Sequence, residues 1–458
     1  MTSSTRNYQT GPKPALILFW LVYLLAAVSW PHHAFAQNQD DATAPALLTA
    51  IDNASAIRMP ADFNRVEFYL ITVDVGNQVW DNFGHTALRM VDENSGTDIV
   101  FNWGLFDASV GYVRFAANFA LGIMEYQLGV SPPHWELGRY QAEARTVWQD
   151  RLVLTTAQKQ RLYQRLAWNL RQENLVYDYD YFFDNCTTRV RDYLDEALGG
   201  SIAERSRTFS PNTFRDEVQS HYASLPLIAF SLDVLMNERI DRRMSQWEQM
   251  FLPAQLRNQL NRLGLLDRSE VLAQFTPPAP GINPYYVVAL LLLPLLLLLL
   301  SVRRASIAAF SSQPGFTLRA SALSYRIMGL VGMLVVLFSG IYGILMTFGW
   351  LFSSHLDTHA NINLLLFWPT DLLGLFVTLK WFLFGAAPAV SRTRHQLVVF
   401  YMFLHMAAAL VYVIVGLTGL SGQSTGSLML FVVPVLMLFA LMVSLVGLRP
   451  VRSVHFDW

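Results

Sequence analysis

The 458-residue sequence contains a single cysteine, Cys186. One thiol cannot close an internal disulfide, so the fold has to hold by packing. An excess of charge is also missing: 33 Lys and Arg against 34 Asp and Glu leave a formal net charge of −1. A nucleic-acid partner would want a basic face, and none is indicated. There is no internal repeat, and no low-complexity segment beyond one leucine run. Between 37 and 283 there is no long apolar run either. That stretch, roughly 245 residues rich in charge and aromatics, reads as a soluble domain large enough to bury a full core.

The ends of the chain differ from that stretch. Arg6 and Lys13 precede an apolar run over 14–30, and "AFA" at 34–36 precedes Gln37. A basic start, an apolar stretch and a small-x-small site predict a secretory signal peptide over 1–36, with an uncleaved signal anchor as the alternative. After the linker "TPPAPGINP", apolar segments over about 284–302, 327–352, 364–385, 397–419 and 428–448 predict a transmembrane domain occupying 284–458. Arg303, Arg304, Arg319 and Arg326 fill the first loop, Arg392 and Arg394 the third, and Arg449 and Arg452 the tail, whereas 353–363 and 420–427 hold no Lys or Arg. Positive charge stays inside, so the soluble domain is expected in the periplasm and the C-terminus in the cytoplasm of a multi-pass inner-membrane protein.

A lone thiol in such a compartment demands an account. In "FFDNCTTRVRDYLDEALGG" (182–200), Val190, Tyr193, Leu194, Ala197 and Leu198 recur at helical spacing, and Gly199-Gly200 ends the run. Asp184 and Asn185 are good N-cap residues, which puts Cys186 in the first turn, where free N–H groups and the helix dipole favour a thiolate. The plainer reading is a buried small hydrophobe. A base decides between them. His85, His134 and His221 are the histidines of the soluble stretch after the signal peptide. His85 opens "HTALRMV", a predicted strand that follows another in "RVEFYLITVDVG"; His134 lies in a Pro-broken turn and His221 near a helix end. A strand histidine facing a cysteine at a helix start is the arrangement of thiol acyl-transfer enzymes.

"WDNFGHTALRMVD" (80–92), "FNWGLFD" (101–107) and "YDYDYFFDNCTTRVRD" (177–192) resemble, in order and spacing, the periplasmic domain of the Lnb-type lipoprotein N-acyltransferases. The resemblance covers roughly 63–200 and continues in "HLDTHANINLLLFWPTDLL" (355–373). More distantly, the chain is similar to the permuted papain-like group that includes NlpC-type peptidases and lecithin:retinol acyltransferase-type enzymes. The resemblance implies an α+β papain-like domain over 37–283, followed by an all-α membrane domain. It also implies transfer of a fatty acyl chain from a membrane phospholipid to the N-terminal amine of a lipoprotein, without a cofactor. Cys186 matches the family's cysteine and His85 its histidine.

Other roles stay open at this level. Asn102, Asp178 or Asp180 could orient the imidazole, and the two acids could equally cap or pair with Arg189 and Arg191. Asn185 and Thr187 are expected near the oxyanion, through N–H groups at Cys186 and Thr187. Arg189, His355, His359, Asn361, Asn363 and Asp371 are candidate substrate contacts. His355, Asp357 and His359 could make a metal site, since histidines at i and i+4 share a helix face, yet the acid is not placed as in the familiar zinc motif, no third helix-borne ligand is evident, and no metal is expected. Asp371, costly in lipid, is expected to face the interior, with His405 a weaker case; Lys380 is expected to snorkel. The rival readings are a membrane-tethered cysteine amidase or peptidase acting on cell wall, and a non-catalytic lipoprotein-binding factor.

Overall fold

The computed structural model describes residues 57–105, 112–310, 318 and 320–450; the expected signal peptide lies outside them. Period-two patterning in the first third of the described chain produces strands β1 (Val66–Val73), β2 (His85–Asp92), β3 (Thr97–Leu105), β4 (Glu125–Ser131) and β5 (Val147–Leu152). With the short β6 (Val176–Asp178) and the late β9 (Leu266–Ala273) they form one antiparallel sheet, ordered β6-β4-β3-β2-β1-β5-β9. A separate ribbon pairs β7 (Phe209–Thr213) with β8 (Arg243–Ser245).

Because side chains alternate along a strand, the sheet has two faces with different covers. On one, Phe68, Leu70, Leu88, Met90, Phe101 and Trp103 are fully buried. They pack under α3 (Thr156–Asn169), α4 (Cys186–Ala197) and α7 (Pro253–Arg262). Burying each such side chain contributes about 1.5–3 kcal/mol. The polar groups there are satisfied: Trp103 Nε1 and the Tyr193 hydroxyl both donate to Asn169 Oδ1, at 2.9 and 2.7 Å. On the other face Ile71, Val73, Ala87 and Val100 pack against Tyr140 of α2 (Pro133–Ala142). The mixed α/β part also includes α5 (Phe214–His221) and α6 (Pro226–Leu235), which share a second apolar cluster.

A helical part follows. Pro284–Val302, α8 (Ala322–Phe352), Arg392–Thr418 and Leu428–Gly447 are each long and apolar enough to cross a membrane, and a bent pair makes up to five spans. That bend departs from the straight helix expected over 364–385. Ile362–Leu365 and Pro369–Gly374 are 3-10 turns, and regular helix runs only over Leu375–Phe384, with a bend of 52°. Pro369 has no N–H to continue a helix, and its ring drives Trp368 to φ −111°, ψ 133°. The Asp371 carboxylate accepts the Trp368 N–H across the break at 3.3 Å. Glycines on α8 let it lie against the broken segment: a Cβ at Gly343 would sit 2.6 Å from Pro369 N, and one at Gly329 2.5 Å from Phe382 N.

Both parts belong to one compact unit, Ala50–Trp458. Buried polar contacts fasten them. Arg215 of α5 pairs with Asp233 at 2.7 Å and Asp241 at 2.6 Å, and Tyr285, at the start of the first apolar helix, donates to Asp233. Asn237 Nδ2 donates to the carbonyls of Leu356 and His359, at 2.9 and 2.6 Å.

Candidate active site

Cys186 is the first residue of α4, and its neighbour explains why the helix starts there. Asn185 Oδ1 accepts the N–H groups of Thr187 and Thr188 at 2.8 and 2.9 Å, while the Asn185 N–H donates back to Thr188 Oγ1 at 2.7 Å. This is a reciprocal capping box. Asn185 Nδ2 is also occupied, donating to the carbonyls of Tyr181 and Phe251 at 2.9 and 3.0 Å. Asn185 is thus an N-cap, as its residue type suggested, but the oxyanion roles expected of Asn185 and Thr187 need correcting: the Thr187 N–H is taken by the cap, and the Asn185 amide is spent on the cap and on the two carbonyls. The cap oxygen serves Thr187 and Thr188 and leaves the N–H of Cys186 itself as the remaining first-turn donor beside the sulfur.

His85 comes to this point because it is the first residue of β2, paired with Val73 at the end of the β1 ladder. Its ring needs room. Across the sheet, Gly104 sits at φ +133° in an irregular stretch of β3, and a Cβ there would meet His85 Cε1 at 3.4 Å. Asn102 lies opposite Ala87, diagonal to His85 on the same face. Its Oδ1 is 2.8 Å from His85 Nε2.

Behind Asn102 stands a residue the sequence did not single out. Glu136, in the first turn of α2, accepts from Asn102 Nδ2 at 2.9 Å, Ser131 Oγ at 2.7 Å and Arg139 Nη2 at 2.8 Å. Burial alone would push its pKa up, but Arg139, Ser131, Asn102 and His85 together hold it below the ordinary value. A carboxylate only accepts, so it fixes which end of the Asn102 amide faces it. Oδ1 must then face His85, Nε2 must carry a proton, and Nδ1 is left as the basic nitrogen for the thiol. Glu136 lies in "SPPHWELG", fifty residues from the cysteine, in a segment whose only sequence signal was an acid one turn into a Pro-started helix.

The electrostatics favour the thiolate. Burial pushes the Cys186 thiol up, but the charge and hydrogen bond of His85, the Thr86 N–H and the Thr187 hydroxyl outweigh it and bring the pKa down to about 7. Thr187 Oγ1 lies 3.7 Å from the sulfur and 3.1 Å from Thr86 Oγ1. Tyr126 and Tyr179, stacked at 4.5 Å, are kept as neutral phenols: burial raises Tyr126 to about 12 and Tyr179 well above its usual value. Alkylation of Cys186 by iodoacetamide is therefore expected to rise with pH through a midpoint near 7, not near 9. In His85→Ala the midpoint should move up; a midpoint near 9 in the unmodified protein would rule out the pairing.

The thiol opens onto a cavity of about 650 Å³. Its lining is uneven. Asp81, Arg139, Glu143 and Arg145 contribute charge, all from the α/β part. Arg145, 4% exposed, pairs with Asp81 at 3.0 Å and Glu143 at 3.1 Å. His85, Asn102, Asn185, Thr187, His355 and Asp357 add polar groups, and the apolar lining includes Leu345, Met346 and Phe348 of α8 in the helical part.

The remaining sequence candidates scatter. Arg189 pairs with Asp184 at 2.5 Å and lies over the Tyr177 ring; Arg191 lies over Trp247. Asp180 caps a turn through the N–H groups of Phe182 and Phe183, and Asp178 sits on the edge strand β6. Neither orients His85. His134 is exposed on α2, and His221 Nδ1 is 2.8 Å from the Glu217 carbonyl. His355 lines the cavity with Nε2 at the Phe119 carbonyl, 2.9 Å. His355 and His359 flank a 3-10 turn, so they do not share an α-helical face, and His359 Nε2 turns to the Ser353 carbonyl. Asn361 and Asn363 are buried and both donate to the Val234 carbonyl. Asp371 faces the helical interior, held by Ser339 at 2.5 Å, Tyr401 at 2.6 Å and His405 at 2.9 Å. No group of three or more His, Cys, Asp or Glu able to hold a metal occurs among the described residues.

Fold and site together define a membrane protein whose α/β domain presents a Cys–His–Asn cluster to a cavity of mixed lining, part of it from an apolar helix. Residues 54–219 match the family model of the Lnb N-terminal periplasmic domain. The match is consistent with the Lnb-type lipoprotein N-acyltransferases. It takes in Cys186, His85, Asn102 and Glu136, and it stops before the apolar helices. Comparison with curated proteins and with solved structures returned no match.

Proposed function

We propose that this protein is a thiol-dependent acyltransferase that moves a fatty acyl chain from a membrane phospholipid to the N-terminal amine of a lipoprotein. The observation that carries the reading is that the cavity holding the thiol is completed by a membrane helix. A sugar or peptide substrate drawn from cell wall gains nothing from such a wall, whereas an acyl chain does.

In the first step His85 Nδ1 takes the thiol proton and Cys186 Sγ attacks the ester carbonyl carbon. The tetrahedral oxyanion lies at the start of α4, near the Cys186 N–H and the positive end of the helix. The carbon–oxygen ester bond breaks, His85 returns the proton to the departing lysophospholipid alkoxide, and a thioester remains. In the second step the neutral amine attacks the thioester carbonyl, His85 accepts the amine proton, and the thiolate leaves. Asn102 holds the imidazole plane, with Glu136 holding Asn102.

A cysteine at a helix start against an antiparallel sheet whose strand bears the histidine also supports the papain-like kinship inferred from the sequence. The arginine-rich loops support an inner-membrane location with the α/β domain in the periplasm and the C-terminus in the cytoplasm. The test is intact-protein mass spectrometry after incubation with phospholipid vesicles. The expected result is a hydroxylamine-labile gain of one fatty acyl mass, lost in Cys186→Ser and His85→Ala. No adduct and no lysophospholipid would refute the reading and favour the cell-wall or non-catalytic alternatives.

A further inference from the structure

We infer that the α8 surface bearing Leu345, Met346 and Phe348 is the acyl-chain site, and that the chain enters it sideways from the surrounding lipid. The inference rests on the acyl-transfer reading and specifies which part of the molecule receives the chain.

Leu345 and Phe348 are neighbours on one helix face. Both line the cavity, and both are also surface residues, 45% and 37% exposed. The cavity wall at this point is therefore also the apolar outer face of a membrane-spanning helix. Ile341 and Ile344 before them and Leu351 and Phe352 after them, three or four residues away, are exposed too and continue that stripe along the helix. Met346, one residue along, is 1% exposed and forms the inner part of the wall. Leu232 and Leu235 of α6 extend the apolar lining inward. The polar cavity residues contributed by the helical part are each engaged within the protein: Asp357 accepts from the Tyr181 hydroxyl, His355 Nε2 lies at the Phe119 carbonyl, and Thr358 Oγ1 donates to the His355 carbonyl.

Size agrees with such an occupant. At roughly 30 Å³ per water-sized group, the cavity of about 650 Å³ has room for about twenty such groups, enough for a long acyl chain. A chain that leaves lipid for this wall exchanges one apolar surrounding for another, so there is little hydrophobic gain. Shape and length must then set the preference, and α8 is placed to set them. Its glycine contacts with the broken segment fix its position.

The experiment uses full-length protein with vesicles of dioctanoyl or dipalmitoyl phosphatidylethanolamine, reading the Cys186 adduct by mass. Leu345→Trp and Met346→Trp should lower the palmitoyl-to-octanoyl adduct ratio by about tenfold, the size expected from overpacking a filled site. An unchanged ratio overturns the proposal. A second measurement is independent of turnover and of any folding defect in the tryptophan variants. Cys186→Ala protein is irradiated with a phospholipid carrying a diazirine on its acyl chain. Crosslinks within 345–349 support the site, and their absence there overturns it. Crosslinks at 345–349 without a thioester in the unmodified protein would refute acyl transfer while leaving the chain site standing. A thioester without those crosslinks would do the reverse.

Discussion

Cys186→Ala and His85→Ala are each expected to slow acyl transfer by roughly a thousandfold or more, and the double variant should lose little beyond the worse single change. The reason is that the two groups act as one. Without the imidazole, the thiol loses the charge and hydrogen bond that bring its pKa to about 7. Without the sulfur, the base has no proton to take. Groups that serve one transition state are grossly non-additive when removed together. The measurement is lysophospholipid release and acceptor acylation in the four proteins under single-turnover conditions. Losses that multiply would mean that His85 and Cys186 act independently, and the paired mechanism would fall.

The second large effect concerns Asn102 and the acid behind it. Asn102→Ala should lower the chemical step by something within the 10²–10⁴ range that a positioned base contributes, with little change in apparent substrate affinity. Glu136→Leu should act through the same contact. Freed from the carboxylate, the Asn102 amide can turn its Nδ2 toward His85, which selects the tautomer protonated at Nδ1. That imidazole cannot accept the thiol proton. A purely structural role for Glu136 would lower the amount of folded protein and leave its chemistry alone. The positioning role predicts folded Glu136→Leu protein whose Cys186 alkylation midpoint has moved above 7, with Glu136→Gln partly restored because its amide oxygen still accepts from Asn102. A normal midpoint in Glu136→Leu would refute it.

Much of this was legible in the sequence for local reasons. Strands β1 and β2 follow from alternation, and the helix start at Cys186 follows from Asn185 and the helical run behind it. His85 was found because it opens a strand and because few histidines compete. Glu136 was invisible because its link to His85 passes through Asn102, from a helix packed on the sheet face to an interior strand; neither neighbour in sequence nor spacing points to it. The oxyanion expectation failed at Thr187 because capping is a competition for N–H groups, and the cap won. Pro369 was visible, but its effect depended on Asp371 being free to accept the Trp368 N–H and on the glycines of α8 making room. The cavity could not be read at all, since its lining residues range from Val79 to Thr358 along the chain.

Anyone wishing to make a soluble version by cutting before Pro284 would meet a difficulty that the shared cavity foretells. The cut would strip away Leu345, Met346 and Phe348, leaving the thiol in an open dish. Asp233 would lose Tyr285, and Asn237 would lose the carbonyls of Leu356 and His359. The buried Phe230 and Val234 would face water, an adhesive patch on a protein built without one. Any thioester formed in that dish would stand beside bulk water, and the trimmed protein would tend toward lipid hydrolysis. The helices are thus as much the roof of a reaction vessel as a mooring.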